Sequence, residues 1–262
     1  MKEYKDQMNT TIRLEVTPRR IVSLVPSQTQ LLHHLGLENE VIGITKFCIY
    51  PEAWYKSKER VGGTKSVNLD KVRDLQPDLI IGNKEENQRE DIEALREIAP
   101  VWMSDIYSLP ESLEMIASIG EMTQSQGKAI ALIESIQMEF DKLESTVKDL
   151  STFGKSVAYY IWNDPGMTAG SNTFIDDMLK RCGLKNVMTT SRYPIATGEE
   201  NPDFVFLSSE PFPFKQEHIA KYKALYPKAK VALVDGELFS WYGSMLVKAP
   251  DYFTRLLQQL SV

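Results

Sequence analysis

Histidine and cysteine are the residue types that most often bind metals or act as nucleophiles, and this sequence has few of either. Its histidines are His33, His34 and His218, and its cysteines are Cys48 and Cys182. Neighbouring side chains on one helix point about 100° apart, so the two adjacent histidines cannot form a tripod with His218. Neither cysteine lies in a CxxC motif, and no GxSxG motif is present. The sequence therefore predicts neither a bare metal site nor a nucleophilic enzyme.

The first predicted strand, at 21–25, ends in a turn that has no glycine. The turn reads PSQT at 26–29, and Ser27 or Thr29 is the expected cap of the helix that follows. A dinucleotide-binding enzyme would carry GxGxxG at this place, and that motif is absent. The unit of strand, turn and helix is therefore expected to hold something other than a nucleotide phosphate.

Large aromatic residues are concentrated in segments that follow predicted strands. Trp54, Trp162 and Trp241, three of the four tryptophans, lie there. Ligands of open α/β sheets bind beyond the carboxyl ends of the strands, and flat rings with polar edges suit such a surface. We expect about half of these rings to contact a ligand and the others to pack loops onto their own lobe.

The elements that must position these rings alternate between strand and helix. Apolar, β-rich runs predict strands at 21–25, 41–44, 77–81, 101–103, 156–162, 202–206 and 231–234. Helical patterns fall between them, at 27–35, 68–75, 89–98, 110–122, 174–179 and, last, 252–260. This alternation predicts an α/β fold with mainly parallel, doubly wound sheets.

One long helix, predicted at 125–150, interrupts the alternation. Apolar residues recur there at steps of three and four, which is the helical period, and the helix would span about 37 Å. The alternation then restarts, and the pair Pro77-Asp78 before one strand recurs as Pro202-Asp203 before another. The sequence thus predicts an N-terminal α/β lobe at 1–124, a connecting backbone helix at 125–150 and a C-terminal α/β lobe at 151–262.

Charge and the N-terminus restrict the class of protein further. The net charge of −6 disfavours a nucleic-acid partner. The first ten residues lack the apolar core and cleavage site of a secretory signal, and no apolar run approaches the roughly 20 residues of a membrane span. A cytoplasmic protein is therefore one alternative.

Several segments match a known family in order and spacing. They are RIVSLVPSQTQ from residue 20, GIT at 43–45 followed by Tyr50-Pro51, VGG at 61–63, NLD at 68–70, LQPDLII at 75–81 and GSNTFIDDML at 170–179. In these segments the chain resembles the substrate-binding proteins of ABC importers for vitamin B12 and ferric siderophores. The resemblance implies a class III periplasmic-binding-protein-like fold, that of a helical-backbone metal receptor, with two doubly wound lobes joined by a single long helix and no enzyme activity.

The resemblance also implies a ligand, a partner and a location. A metal chelate would bind in the cleft between the lobes of a monomer, in the periplasm or at the cell surface, with an ABC permease as partner and no cofactor or metal site of the protein's own. The turn at 26–29 would form one wall, where the helix dipole favours a carbonyl or anionic group. Almost no arginine apart from Arg192 lies in the ligand-side loops, which favours a corrinoid or another bulky, weakly charged ligand. The expected ligand-binding residues are Pro26, Ser27, Gln28, Phe47, Cys48, Tyr50, Trp54, Asn83, Trp162, Phe212, Phe239, Trp241 and Tyr242.

Family members dock onto the permease with one acidic residue on each lobe. Asp70 matches the first position, and Glu199 or Glu200 is the expected substitute at the second, in a segment shorter than the family pattern. Two alternatives remain open. The protein could bind a ferric siderophore or haem instead, or it could be a cytoplasmic corrinoid carrier or sensor that kept the fold.

Overall fold

The chain folds into two units in the computed structural model, which describes residues 1–261. The first unit consists of Met1–Ile106, Pro110–Glu134 and Tyr242–Met245, and the second consists of Tyr107–Leu109, Ser135–Trp241 and the residues from Leu246 to the end of the described chain. Each unit therefore includes one short segment that comes from the other half of the sequence.

The first unit has a five-stranded parallel sheet. Its elements in chain order are β1 (Lys2–Lys5), β2 (Thr11–Leu14), β3 (Ile21–Ser23), α1 (Pro26–His34), β4 (Val41–Ile44), α2 (Glu52–Ser57), β5 (Glu59–Arg60), β6 (Gly62–Gly63), β7 (Ser66–Val67), α3 (Leu69–Leu75), β8 (Leu79–Asn83), α4 (Arg89–Arg96), β9 (Val101–Ser104) and α5 (Leu109–Met122). The sheet order is β5-β4-β3-β8-β9, while β1 with β2 and β6 with β7 form antiparallel pairs. Every residue of β3, β8 and β9 is buried, which explains why these strands appear in the sequence as continuous apolar runs.

The second unit also has a five-stranded sheet covered by helices. Its elements are β10 (Ser156–Trp162), β11 (Met167–Thr168), α7 (Phe174–Arg181), β12 (Lys185–Asn186), β13 (Phe204–Ser208), α8 (Gln216–Leu225), β14 (Lys230–Val234), α9 (Gly236–Ser240) and α10 (Ala249–Leu260). The order is β11-β10-β13-β14, with β12 beside the start of β10. All pairs are parallel except that of β10 with β11. The predicted α/β fold with mainly parallel sheets is confirmed.

The long predicted helix is present as one uninterrupted element, α6 (Gln126–Val147). Its residues belong to the first unit up to Glu134 and to the second from Ser135. Ile136, Phe140 and Leu143 are buried at the expected helical spacing.

The aspartates of the two Pro-Asp pairs, Asp78 and Asp203, make equivalent hydrogen bonds in the two units. The carboxylate of Asp78 accepts hydrogen bonds from the backbone N–H groups of Arg19 and Arg20 at 2.7 and 2.9 Å. The carboxylate of Asp203 accepts hydrogen bonds from the N–H and the hydroxyl of Ser156, both at 2.8 Å. In each unit the aspartate thus fixes the start of the neighbouring strand, so the internal repeat in the sequence has a physical basis.

The contribution of Asp203 should depend on pH. Hydrogen bonds from Ser156 and the nearby charge of Lys155 hold the pKa of Asp203 below its ordinary value of 3.8. A carboxylate with a depressed folded-state pKa stabilises the fold above its unfolded pKa and loses that contribution as the pH falls through the folded pKa. We expect urea unfolding to show Asp203→Asn about 1 kcal/mol less stable than wild type at neutral pH, because Asp203 is partly exposed. The difference should shrink below about pH 4.

The exposed carboxylate Asp149 provides the control for this pH dependence. Asp149→Asn should follow the wild-type stability curve throughout. A constant offset between wild type and Asp203→Asn down to about pH 2 would contradict the role assigned to Asp203.

Several local predictions were wrong. Helix α1 begins at Pro26 after Val25, with no side-chain cap, whereas Ser27 or Thr29 had been expected. Thr29 instead donates its hydroxyl to the carbonyl of Val25, one turn back, at 3.0 Å. Helix α7 was expected to be capped by Ser171 or Asn172, but its cap is Thr173, whose hydroxyl accepts from the N–H of Asp176 at 3.2 Å. Segments interpreted as loops contain helices α2 and α9, and α8 was not predicted.

Candidate functional site

Gln28 and Asn83, two predicted polar contacts of the first unit, lie at the carboxyl end of its sheet and both bond to Ser104. The side-chain amide of Gln28 donates to the hydroxyl of Ser104 at 2.6 Å and to the carbonyl of Gly82 at 3.2 Å. The amide of Asn83 donates to the same hydroxyl at 2.9 Å, and its oxygen accepts from the N–H of Glu85. Gln28 and Asn83 are buried. This network supports the sheet end from inside.

Tyr242 reaches this network from the other end of the sequence. Burial raises the pKa of Tyr242 well above its ordinary value, against hydrogen bonds with Ser27 and Ser104 that lower it. The next residue, Gly243, donates its N–H to the hydroxyl of Ser112 at 3.2 Å. Ser27 and Tyr242 are both buried, so in this structure Tyr242 packs against Ser27. Only Pro26, at the start of α1, is partly exposed among these predicted contacts.

The loop after β4 presents apolar side chains to solvent. Phe47, Ile49 and Tyr50 are 52%, 45% and 48% exposed. The ammonium group of Lys46 lies 5.1 Å from the centre of the Phe47 ring. Because large exposed apolar side chains that lie together mark ligand or partner surfaces, this loop is the candidate contact surface of the first unit.

Cys48 and Trp54, from the same segment, point into the first unit and not towards a ligand. The sulfur of Cys48 lies 3.1 Å from the hydroxyls of both Thr29 and Thr45, and burial raises the pKa of its thiol. Trp54 is 1% exposed and its ring packs edge-on against His33 at 5.2 Å. These two predicted ligand contacts are corrected to packing residues of the first unit.

Aromatic rings also line the carboxyl end of the second unit's sheet. Trp162 is 41% exposed and packs edge-on against Phe212 at 5.6 Å. Phe212 in turn contacts the rings of Phe214 at 4.8 Å and His218 at 5.3 Å. Trp162 and Phe212 therefore lie at this end of the sheet, and their contact with a ligand stays a prediction.

Phe239 is not available, although it lies close by in the sequence. Its side chain is fully buried, with ring centres 4.4 Å from Phe253 and 5.2 Å from Tyr159. It lies in the middle of α9, where the helix faces its own unit. The prediction of Phe239 as a ligand contact is therefore corrected, because a ring enclosed by other rings cannot touch a ligand.

Trp241 ends the same helix and is only half-buried. Its indole N–H donates to the carboxylate of Glu210 at 2.9 Å, and Ser240 donates to the same oxygen at 2.6 Å. Sequence reasoning missed Glu210 and Ser240. The available signal was an acidic residue inside an otherwise apolar, proline-rich loop after β13.

The predicted docking residues differ in their surroundings. The side chain of Asp70 is 89% exposed and pairs with Arg73 at 2.6 Å. Glu199 is exposed. The carboxylate of Glu200 instead accepts hydrogen bonds from Thr197, Gly198 and the hydroxyl of Tyr226. These hydrogen bonds outweigh the opposing effect of burial and lower the pKa of Glu200, which makes it a structural residue of its loop.

The described residues contain neither a group of metal-binding side chains nor a membrane-spanning helix. Between Met1 and Ser261 no three His, Cys, Asp or Glu side chains are grouped so that they could hold a metal ion. Over the same residues, no helix has both the length and the apolar character needed to cross a membrane.

Comparison with known proteins identifies relatives along most of the chain. A family model described as periplasmic binding protein matches residues 21–223. The uncharacterized ABC transporter substrate-binding lipoprotein YvrC of Bacillus subtilis is 31% identical over 188 residues, which cover 69% of this chain and 59% of that protein. A cobalamin-binding protein of Halobacterium salinarum is 30% identical over 212 residues, covering 76% of this chain and 56% of that protein. The matched part thus spans less than two thirds of each relative.

A solved structure shows the same fold. The periplasmic vitamin B12 binding protein BtuF of Vibrio cholerae superposes with a TM-score of 0.79 at 18% identity, covering 93% of this chain and 98% of that one.

Proposed function

This chain belongs to the periplasmic binding protein family, and on that premise we propose that it is the substrate-binding component of an ABC importer and binds a corrinoid. The observation that carries the proposal is the set of accessible rings at the carboxyl ends of the sheets: Phe47 and Tyr50 in the first unit, Trp162 and Trp241 in the second. A corrin is a large, flat macrocycle, and exposed aromatic faces offer it apolar contact area at little cost in side-chain entropy. One relative is named as an ABC transporter substrate-binding lipoprotein, which supports the transport role, and another is named as a cobalamin-binding protein, which supports the ligand.

Charge around Trp241 favours a neutral or cationic chelate. Glu210 bonds the indole directly, while Asp235 and Glu237 lie close enough that burial and mutual repulsion raise the pKa values of Glu210 and Glu237. An anionic chelate at Trp241 would meet this negative field. The same acids would be compatible with a corrinoid that carries little or no negative charge.

Equilibrium dialysis tests the proposal. The purified protein is dialysed against cyanocobalamin and dicyanocobinamide in separate cells, with hemin and ferrichrome as competing chelate classes, and uptake is measured by visible absorbance. Stoichiometric uptake of either corrinoid, with weaker uptake of the others, is the expected result. Preferential uptake of hemin or ferrichrome would overturn the corrinoid assignment but keep the chelate class. Uptake of none of them would overturn the proposed function.

We assign the second docking position to Glu199 and keep Asp70 as the first. Glu199 is exposed, whereas Glu200 is held inside its loop by hydrogen bonds. The combined reversal Asp70→Lys with Glu199→Lys should abolish corrinoid import in cells while dicyanocobinamide binding by the purified protein stays normal. Import at the wild-type rate would contradict this assignment.

The difference between Glu199 and Glu200 can be measured on the purified protein. Glu200→Ala should lower the free energy of unfolding by about 1–3 kcal/mol, because it leaves several polar groups without their acceptor. Glu199→Ala, the matched control, should change it by less than about 0.5 kcal/mol. Equal effects in urea unfolding would show that the two glutamates cannot be assigned separate roles.

A further inference from the structure

Glu210 lies in the loop after β13. That loop contacts α9, the helix that follows β14. One oxygen of the Glu210 carboxylate accepts from both Ser240 at 2.6 Å and the indole N–H of Trp241 at 2.9 Å. The indole N–H of tryptophan is a single donor. Its partner therefore fixes the direction of the indole edge, and with it the plane of the ring.

The backbone that carries Glu210 is itself held in place by hydrogen bonds. The carbonyl of Glu210 accepts from the hydroxyl of Ser208 at 2.6 Å, and the N–H of Gly236 donates to the hydroxyl of Ser209 at 2.9 Å. A Cβ at position 236 would lie 2.6 Å from Cγ of Glu210 and would overlap the hydroxyl of Ser208. The absence of a side chain at Gly236 thus makes room for the stem of Glu210.

A carboxylate at this place is unfavourable for stability by itself. Burial raises the pKa of Glu210, and the nearby charge of Asp235 adds to the rise, while the hydrogen bonds from Ser240 and Trp241 lower it. An apolar residue of similar size would fill the space without that desolvation cost. Charged groups in such surroundings are often kept for a function, and the partly exposed ring that this carboxylate bonds at the sheet end is Trp241.

We propose that Glu210 is a positioning residue that holds the indole of Trp241 in a single orientation for stacking on the ligand. This inference rests on the proposed function for the identity of the ligand. The hydrogen bond between Glu210 and Trp241 is observed in the structure. Preorganisation of a contact ring improves affinity because the ring has less freedom to lose on binding. Ser240 completes the arrangement, since its hydroxyl bonds to the same carboxylate oxygen as the indole does.

The test compares Glu210→Ala with Glu210→Gln and measures two quantities. The first is the indole N–H resonance of Trp241 in ¹⁵N-correlated NMR spectra, assigned with Trp241→Phe. The second is the dissociation constant for dicyanocobinamide by equilibrium dialysis. Glu210→Ala should shift the resonance and weaken binding roughly 10-fold. Glu210→Gln retains an acceptor oxygen, so it should keep binding within about 3-fold of wild type.

Glu237→Gln is the matched control, because it removes an acid from the same cluster without touching the indole bond. It should leave the resonance unchanged and lower the affinity less than Glu210→Ala does, because the indole keeps its hydrogen bond to Glu210. A shifted resonance in Glu210→Ala with unchanged affinity would overturn the proposal, and so would an equal loss of affinity in Glu237→Gln. If Glu210→Ala does not fold, failure of Glu210→Gln to preserve the resonance overturns it. If the wild-type protein takes up no chelate, the proposed function fails, while an unshifted indole resonance in Glu210→Ala would separately overturn the positioning role.

Discussion

Replacement of Phe239 by alanine is expected to lower the free energy of unfolding by about 3–5 kcal/mol, the usual cost of truncating an enclosed aromatic side chain. The ring is fully buried and meets Phe253 at 4.4 Å and Tyr159 at 5.2 Å. Its removal would leave a cavity lined by rigid rings, which have little freedom to collapse into the space. Urea unfolding followed by near-ultraviolet circular dichroism measures the effect directly, since the affected rings lie together.

Phe47 is the matched control, because it is the same residue type in an exposed place. Phe47→Ala should change the free energy of unfolding by less than about 0.5 kcal/mol. A Phe239→Ala protein that unfolds like wild type but no longer binds dicyanocobinamide would contradict the structure and restore Phe239 as a ligand contact.

The parts of the fold that could be predicted are those with a strong period or a repeated local pattern. Helix α6 was predicted because its apolar residues repeat over 22 residues with no proline. The central strands were predicted because strands covered on both faces are apolar throughout. The two Pro-Asp pairs indicated a repeat, which the hydrogen bonds of Asp78 and Asp203 explain.

The missed helices are short or carry little pattern. Helix α9 has five residues, fewer than two turns, so no period can be recognised in it. It does have a residue type typical of an N-cap, Asp235, whose carboxylate accepts from the N–H of Glu237 at 3.1 Å. Helix α8 has a single fully buried residue, Tyr222, and it follows a proline-rich loop. Each helix has a local cap, but neither has a periodic pattern strong enough to predict it from the sequence.

The candidate site shows the same limit at the level of single side chains. A ring after a strand can point outwards or inwards, and a rotation within one short helix decides which. Phe239 and Trp241 are two residues apart, yet the first is buried and the second is half-exposed. Position along the sequence shows which rings follow a strand but cannot separate the exposed Phe47 from the buried Trp54, because that depends on the packing of α2 against its own unit.

The assignment of one short segment from each half of the sequence to the other unit could not be predicted, because it too depends on tertiary contacts. Tyr242–Met245 belongs to the first unit although its neighbours in sequence belong to the second. Tyr107–Leu109 likewise belongs to the second unit, where the N–H of Leu109 donates to the carboxylate of Asp177 at 2.8 Å. Nothing local marks either segment, since each is joined to its unit by contacts with residues more than 60 positions away.

Replacement of Trp241 by alanine is expected to weaken binding of dicyanocobinamide by about 1–3 kcal/mol, which corresponds to a roughly 5- to 150-fold higher dissociation constant. The ring is half-buried, so part of its face is available to a ligand, and its edge is held by Glu210. Loss of the ring removes stacking area and leaves the carboxylate without one of its two donors. The measurement is equilibrium dialysis at fixed pH and ionic strength, because the neighbouring acids make the apparent affinity depend on both.

Two further variants distinguish a loss of ring stacking from a loss of fold stability. Trp241→Phe keeps an aromatic face but lacks the indole N–H, so its affinity should fall between those of wild type and Trp241→Ala. Trp54→Phe alters a buried tryptophan of the first unit, and it should reduce stability while leaving affinity within about 2-fold of wild type. If Trp241→Ala and Trp54→Phe bound equally well, Trp241 would be a packing residue of the second unit. The ligand would then have to contact that unit through Trp162 and Phe212, whose rings meet edge to face at 5.6 Å.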